Sequence, residues 1–222
     1  MLTEAMVINQ MSTTNQLQLD RACLYTFFSR LFTDQTRAED LEQYAAFLAS
    51  VSGEYAKIGC DLQDIIAKWA AQDGADRIIR TEYARLFIVA GGVRPYESVY
   101  RGSERLLMGE PWLEVKSIYR ENGLVLEKPD MHPEDHASVE LSFMAHLIEC
   151  GGKVEEQKLF FEDHIYQWLP QVFNDLQENE QACFFKDMAL CGQNFMKQEK
   201  SLFASLDDEA LTESDQRSDD RL

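Results

Sequence analysis

The sequence has few cationic residues, and this shortage restricts its function more than any other feature. It contains 21 lysine and arginine residues against 39 aspartate and glutamate residues, which gives a formal net charge of −18. The resulting field repels polyanions, so nucleic acid and anionic membrane surfaces are excluded as general partners. A cationic partner is the kind that this charge attracts.

Long apolar runs and several short motifs are also absent. No window is long and apolar enough to span a membrane, so we predict no integral membrane segment. No basic residue precedes Arg21, and no adequate apolar run follows the first methionine, so the N-terminus does not resemble a secretory signal. The five cysteines are an odd number without a C-x-x-C pair, and most lie in apolar helical patterns, which favours reduced thiols in a reducing compartment. We therefore predict a cytoplasmic protein.

Neither of the glycine-rich phosphate-binding motifs occurs, and no cofactor is predicted. G-x-x-x-x-G-K-[ST] and G-x-G-x-x-G would each place backbone N–H groups around a phosphate. No G-x-S-x-G elbow supports a nucleophile and base pair either. The sequence thus gives a nucleotide-dependent enzyme no support.

Apolar residues recur at helical spacing through most of the chain. Leu24, Phe28, Leu31 and Phe32, for example, share one helical face, whereas alternation of period two is absent. We predict an all-α fold: a single helical bundle-like domain with two helical halves joined by a hinge. The expected divisions are a disordered segment 1–16, an N-terminal half 17–123, a hinge connector 124–132, a C-terminal half 133–206 and an acidic disordered tail 207–222.

The stretch from Pro129 to Leu147 is the densest in chemically active side chains. Proline fits the first turn of a helix, so we expect Pro133 to be the first helical residue and His132 the cap. Asp135 then lies in the first turn, where a carboxylate complements the helix dipole. The expected helix continues to Cys150, and it places His136 beside a carboxylate at one end of an apolar stripe.

A second informative stretch is the loop Pro95–Tyr100, which follows the glycine pair Gly91 and Gly92. The glycines and the proline favour irregular backbone, and the loop carries tyrosine, glutamate and serine side chains. Polar and aromatic loops of this kind often contribute to binding sites.

Two other interpretations of these residues stay open on the sequence alone. His132, Asp135, His136 and Glu140 are spaced closely enough to suggest a helical metal- or acid/base-dependent hydrolase, although no H-E-x-x-H motif accompanies them. Alternatively, Asp135 serves only the helix N-terminus and His136 is a hydrogen-bonded ring at the edge of the core.

Five segments together resemble the TorD/DmsD family of chaperones, over residues 18–204. They are Tyr83-Ala-Arg-Leu-Phe87, Pro95-Tyr-Glu-Ser-Val-Tyr100, Met108-Gly109, His132-Pro-Glu-Asp-His136, and His164 followed by Trp168 and Pro170. His132 stands where the family usually has glutamate, and Tyr96 stands where some members have tryptophan.

The resemblance implies a non-enzymatic chaperone that binds the twin-arginine signal peptide and the catalytic subunit of a molybdenum-cofactor oxidoreductase. Arginine forks match carboxylates, and the apolar part of such a signal needs an apolar groove. Asp135 is the first candidate to receive arginine, with Glu97 and Glu134 as further candidates. A monomer and a domain-swapped dimer are both compatible with the resemblance. The predicted signal-peptide-binding residues are Pro95, Tyr96, Glu97, Tyr100, Trp112, Pro133, Glu134, Asp135, His136 and Phe143.

Overall fold

The computed structural model describes residues 4–33, 38–127 and 132–219. Within these residues there is no strand, and the only pairing of extended backbone is an isolated antiparallel β-bridge between Tyr96 and His136. The predicted all-α class is therefore confirmed. The helices are α1 Glu4–Leu31, α2 Ala38–Leu48, α3 Ala56–Ala70, α4 Ala75–Tyr83, α5 Glu97–Arg101, α6 Glu110–Glu121, α7 Ala137–Glu149, α8 Val154–Phe160, α9 Tyr166–Glu178 and α10 Phe184–Asp219, with a 3₁₀ turn at Gly53–Tyr55 and π-helical turns at Ala84–Ile88 and Phe161–Ile165.

Helices from both predicted halves pack into one hydrophobic core. α1 lies along α7, α9 lies along α10, and α10 also packs against α3 and α4. Phe28 of α1 and Phe195 of α10 stack with their ring centroids 5.5 Å apart, and both rings are completely buried. The buried apolar side chains form one continuous cluster across the two halves.

The first and last helices are longer than the sequence patterns predicted. α1 begins at Glu4, and α10 continues to Asp219, so parts of the two segments predicted as disordered, 1–16 and 207–222, have helical backbone. Neither extension contains glycine or proline. Extending an existing helix costs far less than nucleating one, so a packed helix can propagate into polar residues.

The helix that follows Pro133 begins four residues later than predicted. His136 is its N-cap and Ala137 its first residue, so Pro133 is not at the first helical position and Asp135 precedes the helix. The backbone of this segment instead bonds to the loop at residues 95–97, which holds His136 extended at a ψ of 142°. A tertiary contact thus sets the helix boundary.

Pro170 does not break a helix, although an internal proline usually kinks or ends one. It lies inside α9, after the π-helical turn Phe161–Ile165. Its neighbours Trp168, Leu169 and Val172 are all buried. Packing of these side chains outweighs the cost of an internal proline, about 3 kcal/mol.

A buried ion pair joins the first helix to the last. The Arg21 Nη2 and Glu199 Oε2 atoms are 2.9 Å apart, with exposed side-chain fractions of 1% and 0%. The hydroxyl groups of Tyr25 and Tyr55 also donate to the Glu199 carboxylate, and Arg21 donates to Gln157. Burial opposes the charged form of Arg21, but the Glu199 carboxylate dominates the balance, and the pKa of Arg21 is raised.

The N-terminus of α10 is capped by a carboxylate from α4. The Glu82 oxygens accept hydrogen bonds from the backbone N–H groups of Cys183, Phe184 and Phe185 at 2.7, 3.0 and 2.9 Å. These N–H groups have no partner within their own helix. The cap therefore comes from a residue 101 positions earlier in the chain.

The predicted hinge connector 124–132 is only partly described, since residues 128–131 lie outside the described residues. Leu124 packs against the core, while Val125 is 85% exposed. The division into two halves at this connector stays a prediction. Among the described helices, none has the length and apolar character needed to cross a membrane.

Candidate functional site

The loop Pro95–Tyr100 and the segment His132–His136 meet side by side. The Glu97 N–H donates to the Asp135 carbonyl at 2.9 Å, and the Ala137 N–H donates to the Pro95 carbonyl at 2.9 Å. These bonds flank the bridge between Tyr96 and His136. We call these two segments, together with Trp112, the motif cluster. Two of the motifs predicted from the sequence are thus brought into direct contact.

The buried Asp135 side chain links the two segments by hydrogen bonds. One of its carboxylate oxygens accepts the Ser98 N–H at 3.0 Å and also the Ser98 hydroxyl. The residue is completely buried, and burial raises the pKa of Asp135 although the bonds from Ser98 act to lower it. Its carboxylate is therefore directed at Ser98 and away from solvent.

His136 acts as a neutral helix cap. Its Nδ1 accepts the Ser138 N–H at 3.2 Å, which leaves the other ring nitrogen as the protonated one. His132 stacks on one face at 4.0 Å, and Tyr96 meets the ring edge-on at 4.9 Å. Burial, together with His132, lowers the pKa of His136 well below its usual value, so the ring is uncharged at neutral pH.

Two further buried carboxyl groups interact with each other, Glu97 in the loop and Glu140 on α7. Glu97 contacts Arg101 in the next turn of α5, and the His164 Nδ1 lies 3.1 Å from both of its oxygens. Glu140 accepts the Trp168 Nε1–H at 3.1 Å. Burial and the neighbouring Glu97 carboxylate raise the pKa of Glu140 well above its usual value. Glu140 therefore keeps its proton to a higher pH than an exposed glutamate does.

The outer edge of the motif cluster is held by Trp112 and Lys116. The Trp112 Nε1–H donates to the Glu134 Oε2 at 2.6 Å, and the Lys116 ammonium lies 3.0 Å from the other oxygen. The ammonium also lies 4.4 Å from the Trp112 ring centroid. Both Glu134 oxygens thus already have a partner, and an incoming cation would share this carboxylate with Lys116 or compete with it.

The predicted site residues differ sharply in exposure. The partly exposed ones are Tyr96, Tyr100, Trp112 and Pro133. The buried ones are Pro95, Glu97, Glu134, Asp135, His136 and Phe143. The aromatic side chains can therefore touch a ligand directly, whereas the three predicted carboxylates lie inside the protein.

Three of the four groups suggested for a hydrolase are engaged in hydrogen bonds to different neighbours, while the fourth, His132, stacks on His136. Asp135 bonds to Ser98, His136 to Ser138, and Glu140 to Trp168. In the parts of the chain that the structure describes, no three histidine, cysteine or acidic residues are arranged to hold a metal ion. This geometry does not favour the hydrolase interpretation.

A groove that the sequence reasoning missed lies next to the motif cluster, between α6, α7, α8 and the π-helical turn Phe161–Ile165. Its volume is about 470 Å³. The floor is apolar, and three exposed carboxylates stand at the rim. The lining residues are Ile118, Glu121, Asn122, Phe143, Leu147, Glu156, Leu159, Phe160, Asp163 and His164. In the sequence, Glu156, Phe160 and Asp163 recur at helical spacing, which places them on one face of a helix. This spacing does not show which other helices pack near that face to form a groove.

The chain is similar to known proteins over most of its length. The model of the nitrate reductase delta subunit family matches residues 34–174. A chaperone protein TorD from Vibrio parahaemolyticus is 26% identical over 188 residues, which cover 76% of this chain and 87% of the relative. Another, from Psychrobacter sp., is 27% identical over 171 residues, covering 68% and 76%. A solved structure of a proposed redox enzyme maturation protein from Archaeoglobus fulgidus has a TM-score of 0.54 at 20% identity, covering 79% of this chain and 93% of that one, and shows the same fold.

Proposed function

Because the chain belongs to the nitrate reductase delta subunit family, which includes the TorD chaperones of molybdoenzyme maturation, we propose that it binds the twin-arginine signal peptide and apo form of such an enzyme. The family predicted from the five sequence motifs is confirmed. The finer proposal is that the protein acts in the cytoplasm without catalysis of its own, and that it assists cofactor insertion before export.

The observation that carries this proposal is the meeting of the two family motifs in one partly exposed cluster. Tyr96, Tyr100 and Trp112 present aromatic surface there, beside buried acidic residues. Aromatic surface suits the apolar part of a signal peptide, and aromatic residues are common energetic anchors in interfaces. The net charge of −18 favours encounter with a cationic segment.

The first test uses calorimetry with two synthetic peptides that share an apolar run. One carries two adjacent arginines before the run, and the other carries two alanines. We expect the arginine peptide to bind more than tenfold more tightly, because charge-assisted hydrogen bonds contribute about 1.5–3 kcal/mol and about 1.4 kcal/mol corresponds to a factor of ten. Equal affinities would contradict the proposed function.

A second prediction separates direct binding by Asp135 from its role in holding the loop. Asp135→Ala removes the acceptor of both Ser98 donors, whereas Ser98→Ala removes only the hydroxyl donor and keeps the backbone N–H. Since Asp135 is completely buried, we expect it to position the loop, so each variant should weaken binding of the arginine and the alanine peptide by the same factor, with the larger loss for Asp135→Ala. We also expect the Asp135 variant to lose about 1–3 kcal/mol of stability, because Ser98 keeps buried donors without an acceptor.

Two measurements are needed for this comparison: peptide affinity by calorimetry and unfolding by urea. If Asp135 instead receives an arginine, its variant will lose much more affinity than the Ser98 variant, and the extra loss will vanish with the alanine peptide. That result would assign Asp135 a direct role.

A further inference from the structure

We propose that the groove between α6, α7 and α8 is where the signal peptide docks, with its arginines on the acidic rim and its apolar residues on the floor. This inference rests on the proposed function and specifies the surface at which the peptide binds. It also differs from the sequence prediction, in which Asp135, Glu97 and Glu134 received the arginines.

The floor of the groove offers apolar surface at a suitable scale. Phe143, Leu147 and Phe160 line it, and each is almost completely buried, so they form an apolar base with little exposed area of its own. Leu159 stands at the edge and is 59% exposed. A volume of about 470 Å³ falls within the range of ligand pockets, roughly 300–1,000 Å³, and suits a short apolar segment.

The rim supplies negative charge that solvent and ligand can reach. Glu121, Glu156 and Asp163 are all exposed, and the groove lining contains neither lysine nor arginine. Within the described residues, Glu121 and Asp163 form no ion pair, while Glu156 lies 4.0 Å from exposed Lys153. An apolar floor with an acidic rim is complementary to a peptide that joins arginines to an apolar run.

The groove is continuous with the motif cluster. His164 lines the groove and contacts Glu97, while Phe143 lines it and packs against Tyr119, whose hydroxyl donates to the Glu134 carbonyl at 3.1 Å. Asp163 and His164 belong to the π-helical turn Phe161–Ile165. Turns of this type are rare and are often found at functional sites, because they redirect the side chains of a helix.

The buried carboxylates are poorer receptors for an incoming arginine. Glu97 already contacts Arg101 and His164, and Glu134 already contacts Trp112 and Lys116. A client guanidinium would have to compete with these partners and lose most of its own hydration. At the exposed rim carboxylates a guanidinium keeps more of its hydration, and the ion pair between Glu156 and Lys153 is long and exposed.

The rim is tested with the triple variant Glu121→Gln, Glu156→Gln and Asp163→Asn. The matched control is Glu42→Gln, Asp64→Asn and Asp73→Asn, which changes the net charge equally at exposed acids outside the groove. By calorimetry at low salt, the rim variant should bind the arginine peptide about tenfold or more weakly, whereas the control should change little. The two variants should bind the alanine peptide equally.

The contribution of apolar surface in the groove is tested with Leu159→Ser at its edge, and Leu190→Ser on α10 is the control. The two leucines are 59% and 54% exposed, so neither change should unfold the protein. We expect only the Leu159 variant to lose affinity, by about threefold to tenfold for a peptide with the apolar run. A peptide with two arginines and a polar run should not distinguish the two variants.

The outcomes separate this inference from the proposed function. If the wild type binds the arginine and alanine peptides equally, the proposed function fails. If the wild type prefers the arginine peptide and the rim variant keeps that preference in full, the function stands and the groove is the wrong surface.

Discussion

Replacing Glu199 with alanine is expected to lower the free energy of unfolding by about 3–5 kcal/mol, the usual cost of leaving a buried charge without its partner. Glu199 is completely buried, and Arg21, Tyr25 and Tyr55 all donate to its carboxylate. The substitution leaves the Arg21 guanidinium in the core and three donors without this acceptor. Urea denaturation followed by circular dichroism measures the change.

Two controls define what the Glu199 experiment reports. Glu199→Gln keeps an acceptor for the tyrosines but removes the negative charge. We therefore expect it to lower the free energy of unfolding by most of the amount that Glu199→Ala does. Asp61→Ala breaks a surface pair with Lys57, whose side chain is 81% exposed, and should change stability little. A loss below about 1 kcal/mol for Glu199→Ala would mean that the core accommodates Arg21 without a counter-charge.

Replacing Glu140 with glutamine is expected to make the protein more stable at neutral pH, increasingly so as the pH rises. Glu140 has no solvent exposure, and burial together with Glu97 raises its pKa well above the usual value of 4.5. Glutamine has a similar shape, can still accept the Trp168 Nε1–H, and has an amide that can donate to Glu97. The variant thus avoids placing a second charge in this part of the core.

The direction of the pH dependence follows from proton linkage. Because the folded protein binds the Glu140 proton more tightly than the unfolded chain, the stability contributed by this group is complete below pH 4.5 and is lost as the pH rises towards the folded pKa. The loss is about 1.4 kcal/mol per pH unit within that window.

The comparison with the wild type removes this group while its charged neighbours stay. Glu97 and Asp135, whose charges also raise the pKa of Glu140, are present in both proteins. Urea denaturation from pH 4.5 to about pH 8 should show the advantage of Glu140→Gln growing with pH. A difference that stays constant over this range would show that Glu140 keeps an ordinary pKa in the core.

Sequence patterns predicted the structural features that depend on the spacing of nearby residues. The apolar periodicity around Phe28 and Phe32 predicted a core helix, and both rings are buried, Phe28 in α1 and Phe32 directly after it. The motifs at residues 95–100 and 132–136 predicted the family, and the structure brings them into contact. Such features are encoded within a few helical turns, where spacing determines which side chains share a face.

Features that depend on distant parts of the chain could not be predicted in this way. Asp135 was expected in the first helical turn. In the structure it precedes the helix, and its side chain is buried where it accepts hydrogen bonds from Ser98. The partner of Arg21 lies 178 residues away. The rim carboxylate Glu121 faces Glu156 and Asp163 only because α6 packs near α8, which no local pattern specifies.

The Glu82 cap on α10 also has a consequence for the order of events during biosynthesis. A ribosome completes α4 long before the amides of Cys183, Phe184 and Phe185 exist, so the Glu82 carboxylate must stay hydrated while the intervening helices are made. Only when the last helix leaves the exit tunnel can it dock on α3, α4 and α9 and receive its cap. Closure of the core therefore has to wait until α10 has been synthesised, and a nascent chain stalled before α10 would expose the apolar faces that this helix covers.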